Sequence, residues 1–170
     1  MNTCLEELTR RFKEARVSYQ IEKHPYALTA QHVADLEHVP GHIFAKCVIV
    51  TADDRFILVA LPAPHVVDLH ALGDALGLKG IRLATEAEFG PLFPDCEVGS
   101  MPPFPGPHGL EVCLDKSLLG HPEIVFEAGS HSEAVRMRTE DYVWLVQPRI
   151  LSFGREPAGS EPKSKDGPIS

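Results

Sequence analysis

Ala45-Lys46-Cys47-Val48-Ile49-Val50-Thr51, followed by Ala52-Asp53-Asp54 and then Arg55-Phe56-Ile57-Leu58-Val59-Ala60-Leu61, decides the fold of this chain. Two apolar runs rich in β-branched residues, joined by a tight polar turn, predict a β-hairpin. Both faces of the first run are apolar apart from Lys46, so the strand reads as central and covered on both sides. An ammonium at such a place is costly unless it is paired, used, or able to reach water. Lys46 therefore has two readings: a snorkelling residue at the strand mouth, or a positioned functional cation.

Outward from the hairpin, the elements alternate in type. Thr3-x-x-Glu6 resembles a capping box opening an amphipathic helix with Leu5, Leu8, Phe12 and Ala15 on one face. Val17, Tyr19 and Ile21 alternate as a short strand would, ended by His24-Pro25. Thr29 is placed to cap a helix over residues 30–36, broken by Pro40-Gly41. Asp68 caps a helix carrying Leu69, Leu72 and Leu76 and closed by Gly77. A strand near Ile81 to Leu83 precedes a second capping box, Thr85-x-x-Glu88, on a helix that ends by Pro91 or Pro94. Strands follow at 110–115, 124–128 and 134–137, and a last helix from Thr139 ends before Pro148. Hairpins mixed with crossovers predict an α+β domain with a large mixed, curved sheet flanked by helices. One domain is expected over residues 1–151, with 152–170, rich in Gly, Pro, Ser and mixed charge, as a disordered tail.

Composition narrows the function classes. The formal net charge is −8, and the last stretch from Gly154 sums to zero, so broad electrostatic binding of nucleic acid is disfavoured and any such contact is local. Lys23, Arg82, Lys116, Arg136 and Arg138 are the candidates for such a patch. No apolar run approaches the ~18 residues of a membrane span. The first residues lack the basic and apolar regions of a secretory signal. The four cysteines have no C-x-x-C spacing, and a cytoplasmic setting is expected. Nine histidines form no H-E-x-x-H pattern and no zinc-finger spacing, so no metal and no cofactor are expected. G-x-S-x-G, Walker and G-x-G-x-x-G patterns are also missing from the sequence.

Two further segments carry chemistry. Val98-Gly99-Ser100-Met101-Pro102-Pro103-Phe104 couples a glycine, which lets backbone approach a ligand, to a rigid proline exit. It reads either as a loop presenting amides to an anion or as an ordinary surface turn. Phe126-Glu127-Ala128-Gly129-Ser130-His131 reads as a strand end carrying polar side chains.

Taken in order, these segments resemble the YbaK/EbsC-like aminoacyl-tRNA deacylases, relatives of the editing domain inserted in bacterial-type prolyl-tRNA synthetases. The matching text is His24-Pro25, Thr29-Ala30, Val33-Ala34, Ala45-Lys46, Leu83-Ala84-Thr85-Glu86, Gly99 to Pro103, Asp115, and Ala128 to His131. The resemblance implies an α+β editing domain that hydrolyses the ester of a mischarged tRNA, with misacylated tRNA for proline as the expected substrate. It implies catalytic roles for Lys46, Gly99 and Ser100, and substrate contacts from Thr29, Met101, Pro102, Pro103, Gly129, Ser130 and His131. The implied partners are the tRNA acceptor end and prolyl-tRNA synthetase, with no membrane. Cys47 follows the lysine where alanine-editing relatives commonly carry asparagine.

An aminoacyl ester is already activated, so positioning and electrostatics suffice to lower its barrier. The expected arrangement has amides near Gly99 and Ser100 holding the ester carbonyl and Lys46 favouring negative charge beside it. Lys46 as a neutral base ranks second. Asp115 either pairs with a cation near the site or caps the turn after it. The rival reading of the whole chain is a non-catalytic module that binds an amino acid, a nucleotide-like ligand or tRNA.

Overall fold

The computed structural model describes residues 2–23 and 41–157. The strand end at His24-Pro25, the helix over residues 30–36 with its cap Thr29, and residues 158–170 lie outside the described residues.

The hairpin forms as expected. Strand β2 (Phe44–Ala52) pairs antiparallel with β3 (Arg55–Pro62), from Ala45 opposite Pro62 to Ala52 opposite Arg55. Asp53 and Asp54 both take positive φ, 51° and 62°, the twist that a two-residue hairpin turn requires. Around this pair the remaining strands assemble: β1 (Tyr19–Lys23), β5 (Arg82–Leu83), β6 (Glu111–Asp115), β7 (Glu123–Ser130), β8 (Glu133–Arg138) and β9 (Arg149–Leu151). The eight-stranded sheet runs β1-β8-β7-β2-β3-β6-β9, with β5 also on β2. Pairs β2/β7, β3/β6 and β6/β9 are parallel and the others antiparallel, so the sheet is mixed.

Four α-helices flank it among the described residues: α1 (Thr3–Ala15), α2 (Leu69–Leu76), α3 (Glu86–Phe89) and α4 (Thr139–Val146). On one face α1 inserts Leu5, Leu8 and Phe12 among Phe104, Phe126, Ala128 and Tyr142. Each of these burials is worth roughly 1.5–3 kcal/mol. On the other face Leu72 of α2 packs with Val50, Ile57, Val59 and Leu61. A fully buried strand with both faces occupied is what the doubly apolar hairpin predicts.

Two local expectations shift, and the open reading of Asp115 is decided. The cap of α1 is Asn2 and not Thr3: the Leu5 amide donates to Asn2 Oδ1 at 2.8 Å, and Asn2 Nδ2 donates to Glu133 Oε1 at 2.8 Å. Thr85 and Glu88 do form a reciprocal capping box, and Asp68 caps α2 through the Ala71 amide at 3.0 Å. The expected boundary at 151/152 falls too early. Phe153 is buried, and β10 (Gly154–Arg155) pairs with β4 (Val66–Val67). Asp115 is responsible: its carboxylate accepts from the Phe153 and Gly154 amides at 2.9 and 2.7 Å and caps the 310 turn Lys116–Gly120 through Ser117. It thus serves as a structural cap and tie rather than a partner for a cation.

Candidate functional site: a split in the sheet beside Lys46

Central strand β2 is not paired along its whole length. On the edge away from β3 it pairs with β7 only at Phe44/Val125 and Ala45/Phe126. Further along, the same edge meets β5 at Val50/Leu83 and Thr51/Arg82, with the Ala84 amide donating to the Ile49 carbonyl at 2.9 Å. Between these two partners Lys46, Cys47 and Val48 face a split where β7 has turned away and β5 has not yet joined. All three are half-buried, although the strand on either side is fully covered. Divergence of neighbouring strands opens a crevice at the sheet, the place where ligands enter many open sheets.

Lys46 stands in this opening. Burial lowers its pKa, and among the described residues no carboxylate opposes that effect. Among the described residues its ammonium makes no ion pair or hydrogen bond. A partly desolvated cation without a counter-charge is electrostatically expectant: any anion that enters beside it is stabilised.

The 97–103 loop docks on the end of β7 through four hydrogen bonds. The Glu97 amide donates to the Gly129 carbonyl and the Gly129 amide to the Ser100 carbonyl, both at 2.9 Å. His131 Nε2 bonds the Val98 carbonyl at 2.7 Å, and the His131 amide donates to Glu97 Oε1 at 3.0 Å. Gly129 adopts φ +96°, with Asn2 and Cys4 packed where a Cβ would be, so only glycine fits. Glu127 and His131 are both buried and bonded to each other, Nδ1 to Oε2, at 2.8 Å. Burial raises the Glu127 carboxyl to about 7 against the lowering pull of His131.

The structure sorts the expected residues. Gly99 is exposed at φ +84°, and its amide has no partner among the described residues. Ser100 differs from expectation: it is fully buried, and both its amide and its hydroxyl donate to the Glu97 carbonyl, at 3.0 and 2.7 Å. Its amide is therefore not available to a ligand. The Met101 amide has no partner among the described residues, while its side chain packs with Ile49, Leu58 and Val112. Pro102 and Pro103 are buried, the latter fixed by Tyr142 Oη donating to its carbonyl at 2.6 Å. Ser130 Oγ bonds Glu133 at 3.2 Å, so Gly129, Ser130 and His131 shape the loop seat rather than line an open surface. Thr29 lies outside the described residues.

The loop and Lys46 meet through Cys47. Its thiol is pushed up by desolvation, with Glu127 and Cys96 adding to the effect, which sets both beside β2. Cys96 in turn hydrogen-bonds Cys4 of α1; that bond lowers the Cys96 thiol and raises Cys4. Lys46 and Met101 leave the sheet on opposite faces, since Cys47 and Ile49, not Lys46, share the Met101 side. Among the described residues no hydrogen bond joins Lys46 to the loop.

Sequence reasoning overlooked Glu127. A glutamate within an apolar strand four residues before a histidine was the available signal. The basic patch is also smaller than expected: Arg82 pairs with Glu88, Arg136 with Glu22 and Glu123, and Arg138 with Glu140. A hollow of about 350 Å³ between α1 and the loop, lined by Cys4, Arg11, Phe93, Cys96 and Phe104 among others, lies behind the loop and includes neither Lys46 nor Gly99.

A mixed, split sheet, with a lysine in the split that has no partner among the described residues and a glycine loop docked on the end of β7, defines an α+β domain with a candidate site in the sheet. The chain belongs to the aminoacyl-tRNA editing domain family, whose match covers residues 24–145. It is 32% identical over 103 residues to the multifunctional Ser/Thr-tRNA deacylase ProXp-y of Escherichia coli strain K12, covering 60% of this chain and 61% of that protein. The match therefore spans less than two thirds of the relative's length. A proline–tRNA ligase from Thiobacillus denitrificans is 34% identical over 87 residues, 51% of this chain and 14% of the ligase. Among solved structures, one carrying a trans-editing assignment for prolyl-tRNA synthetase superposes with a TM-score of 0.79 at 18% identity, covering 91% of this chain and 99% of that one. At that identity it supports the fold. The eight-stranded mixed sheet with its flanking helices thus bears out the α+β expectation.

Proposed function

We propose that this protein is a trans-editing deacylase that hydrolyses the ester between a wrongly attached amino acid and the 3′-terminal ribose of tRNA, with misacylated tRNA for proline as substrate. The observation that carries this reading is the Lys46 ammonium, half-buried in the sheet split and without a counter-charge among the described residues. Family membership and the Ser/Thr-tRNA deacylase relative support the same chemistry.

In this reading the ester enters the split. The Gly99 and Met101 amides, without partners among the described residues, receive the carbonyl oxygen as it gains charge, and Ser100 holds the loop rather than the oxyanion. Lys46, kept cationic, lies beside the terminal phosphate, on the other side of the split from the loop, and supplies the charge that water would otherwise supply. Water or a hydroxyl of the substrate attacks, so the protein contributes geometry and electrostatics rather than a nucleophile. Arg82, Arg136 and Arg138 are taken up by carboxylates, so few cations of the expected patch are left for phosphates and tRNA binding is weak and salt-sensitive. Prolyl-tRNA synthetase, which retains the cognate tRNA, is the natural partner for such a weak binder. Among the described residues no helix is long and apolar enough to cross a membrane; a cytoplasmic setting is part of the proposal.

The test is a panel of tRNA for proline charged with serine, threonine, alanine and cysteine, incubated with the protein and with Lys46→Ala. Release of at least one amino acid by the parent, and its loss in the variant, is expected. Release of none from any of the four would replace this reading with that of a binding module.

A further inference from the structure

The buried pair Glu127–His131 has a proton count that its contacts fix. His131 Nε2 faces the Val98 carbonyl at 2.7 Å, an acceptor, so Nε2 carries a hydrogen. Nδ1 faces Glu127 Oε2 at 2.8 Å, a distance that requires one hydrogen between them. The hydrogen lies on either atom, giving imidazolium with carboxylate or imidazole with carboxylic acid. Both forms are neutral overall, which suits a pair with only 4% exposure at each member.

Removing that proton leaves a buried carboxylate and one ring hydrogen for two acceptors. The charge-assisted bond to the carboxylate is the stronger, so the hydrogen goes to Nδ1. Nε2 then turns a lone pair on the Val98 carbonyl, and the contact holding Val98 becomes repulsive. Val98 immediately precedes Gly99, whose amide has no partner among the described residues and whose Cα lies against the ring: a Cβ there would sit 3.6 Å from His131 Cε1.

We propose that Glu127 and His131 form a proton-dependent latch that positions the Gly99 loop, closed while the pair holds its shared proton and released when the proton is lost on the alkaline side. His131 and Glu127 are positioning residues in this scheme; neither touches the ester. Among the described residues, the charged and titratable groups around the pair include Glu97 and Cys96 on the loop, Cys47 and the preceding Lys46 on β2, Cys4 on α1, and Glu133 on β8. Of these, Glu97 opposes loss of the proton, since a second negative charge nearby disfavours the anionic pair. Cys47 and Cys4 are raised and stay neutral, while the lowered Cys96 is the one neighbour whose titration needs a control.

The kinetic arm of the test rests on the deacylase reading; a second arm does not. Protection factors of the Glu97 and Gly129 amides, which bridge loop and strand, are measured from about pH 6 to about pH 8.5 after correction for intrinsic exchange. In the parent they fall with rising pH by about tenfold or more, the worth of one bond to a charged group. In Glu127→Gln the amide donates to Nδ1 and keeps the hydrogen on Nε2, so the protection profile flattens. Cys96→Ser keeps the parent's fall. Deacylation of whichever ester of the serine, threonine, alanine and cysteine panel is cleaved, with spontaneous hydrolysis subtracted, follows the same pattern: an alkaline limb in the parent and in Cys96→Ser, lost in Glu127→Gln. His131→Ala lowers both readouts at every pH. A pH-independent parent profile in the exchange arm, or an unchanged fall in Glu127→Gln, would overturn the latch. Absence of cleavage of all four esters would overturn the deacylase reading alone, because the exchange arm still reports on the latch.

Discussion

Gly129 and Gly99 share a backbone conformation but not an environment, and alanine at each separates structural from functional roles. Gly129 has φ +96°, where an L side chain is strained by about 1–3 kcal/mol. A Cβ there would also lie 2.4 Å from Asn2 Oδ1 and 2.7 Å from Cys4 Cβ. Something must move, and moving Asn2 removes the cap of α1, about 1 kcal/mol, together with its bond to Glu133. The sum is about 3–4 kcal/mol. Gly99, at φ +84°, has His131 Cε1 at 3.6 Å as its nearest neighbour, an ordinary contact, so Gly99→Ala costs only the strain, about 1–2 kcal/mol. Urea unfolding followed by far-UV circular dichroism reads the difference. With a slope of about 2 kcal/mol/M for a chain of this size, Gly129→Ala shifts the midpoint down by about 1.5–2 M and Gly99→Ala by under about 1 M. Gly99→Ala is expected to lose deacylation out of proportion to its stability, since the added methyl crowds the free amide. Equal midpoints for the two variants would refute the reasoning about the Asn2 seat.

Three other outcomes follow from the same contacts. Asp115→Ala strands the buried Phe153 amide and the Gly154 amide without acceptors, costs about 3 kcal/mol, and frees β10; limited proteolysis then cuts after β9, where the parent resists. Among the cysteines, Cys96, lowered by its bond to Cys4, reacts first with N-ethylmaleimide, whereas buried Cys113, raised to about 11, reacts only on unfolding; peptide mapping of labelled protein checks the order. Stability should also respond to Glu127, whose folded carboxyl holds its proton to about 7 while an ordinary one releases it near 4.5. The folded state then binds more protons in that window, so this group's contribution falls as pH rises through it and stays lost above. Thermal unfolding should show Glu127→Gln gaining on the parent as pH rises from about 6 to about 8, where the folded pair gives up the proton it shares.

The hairpin, the helices opened by Asp68 and by the Thr85 box, and the mixed sheet were legible because each rests on local signals: alternating apolar residues, caps, and turn residues with positive φ. The cap of α1 was misplaced by one residue because Thr3 and Asn2 are both good caps, and only the tertiary bond from Asn2 to Glu133 decides between them. Phe153 and β10 were assigned to the tail because the Gly and Pro around them dominate the composition, while the carboxylate that ties them down lies 38 residues earlier in the chain. In the site, Lys46 and the Gly99 loop stood out as residues breaking local rules. Engagement of the Ser100 amide, the Glu127–His131 pair and the neutralisation of Arg82, Arg136 and Arg138 depend on contacts between distant segments, which no local pattern encodes. The split beside Lys46 is of the same kind, since it arises from where β7 leaves β2 and β5 arrives.

Lys46 is the residue on which the account turns, and single-turnover deacylation of a misacylated tRNA by Lys46→Ala, paired with its urea midpoint, probes it most directly. A loss of about 10²–10³ in rate is expected, as for removal of one preorganised charge contact, with a midpoint at or above the parent's because a desolvated cation with no partner among the described residues has been deleted. A variant that turns over at the parent's rate, or whose lost rate is matched by lost structure, would contradict the assignment of this ammonium to the substrate's negative charge.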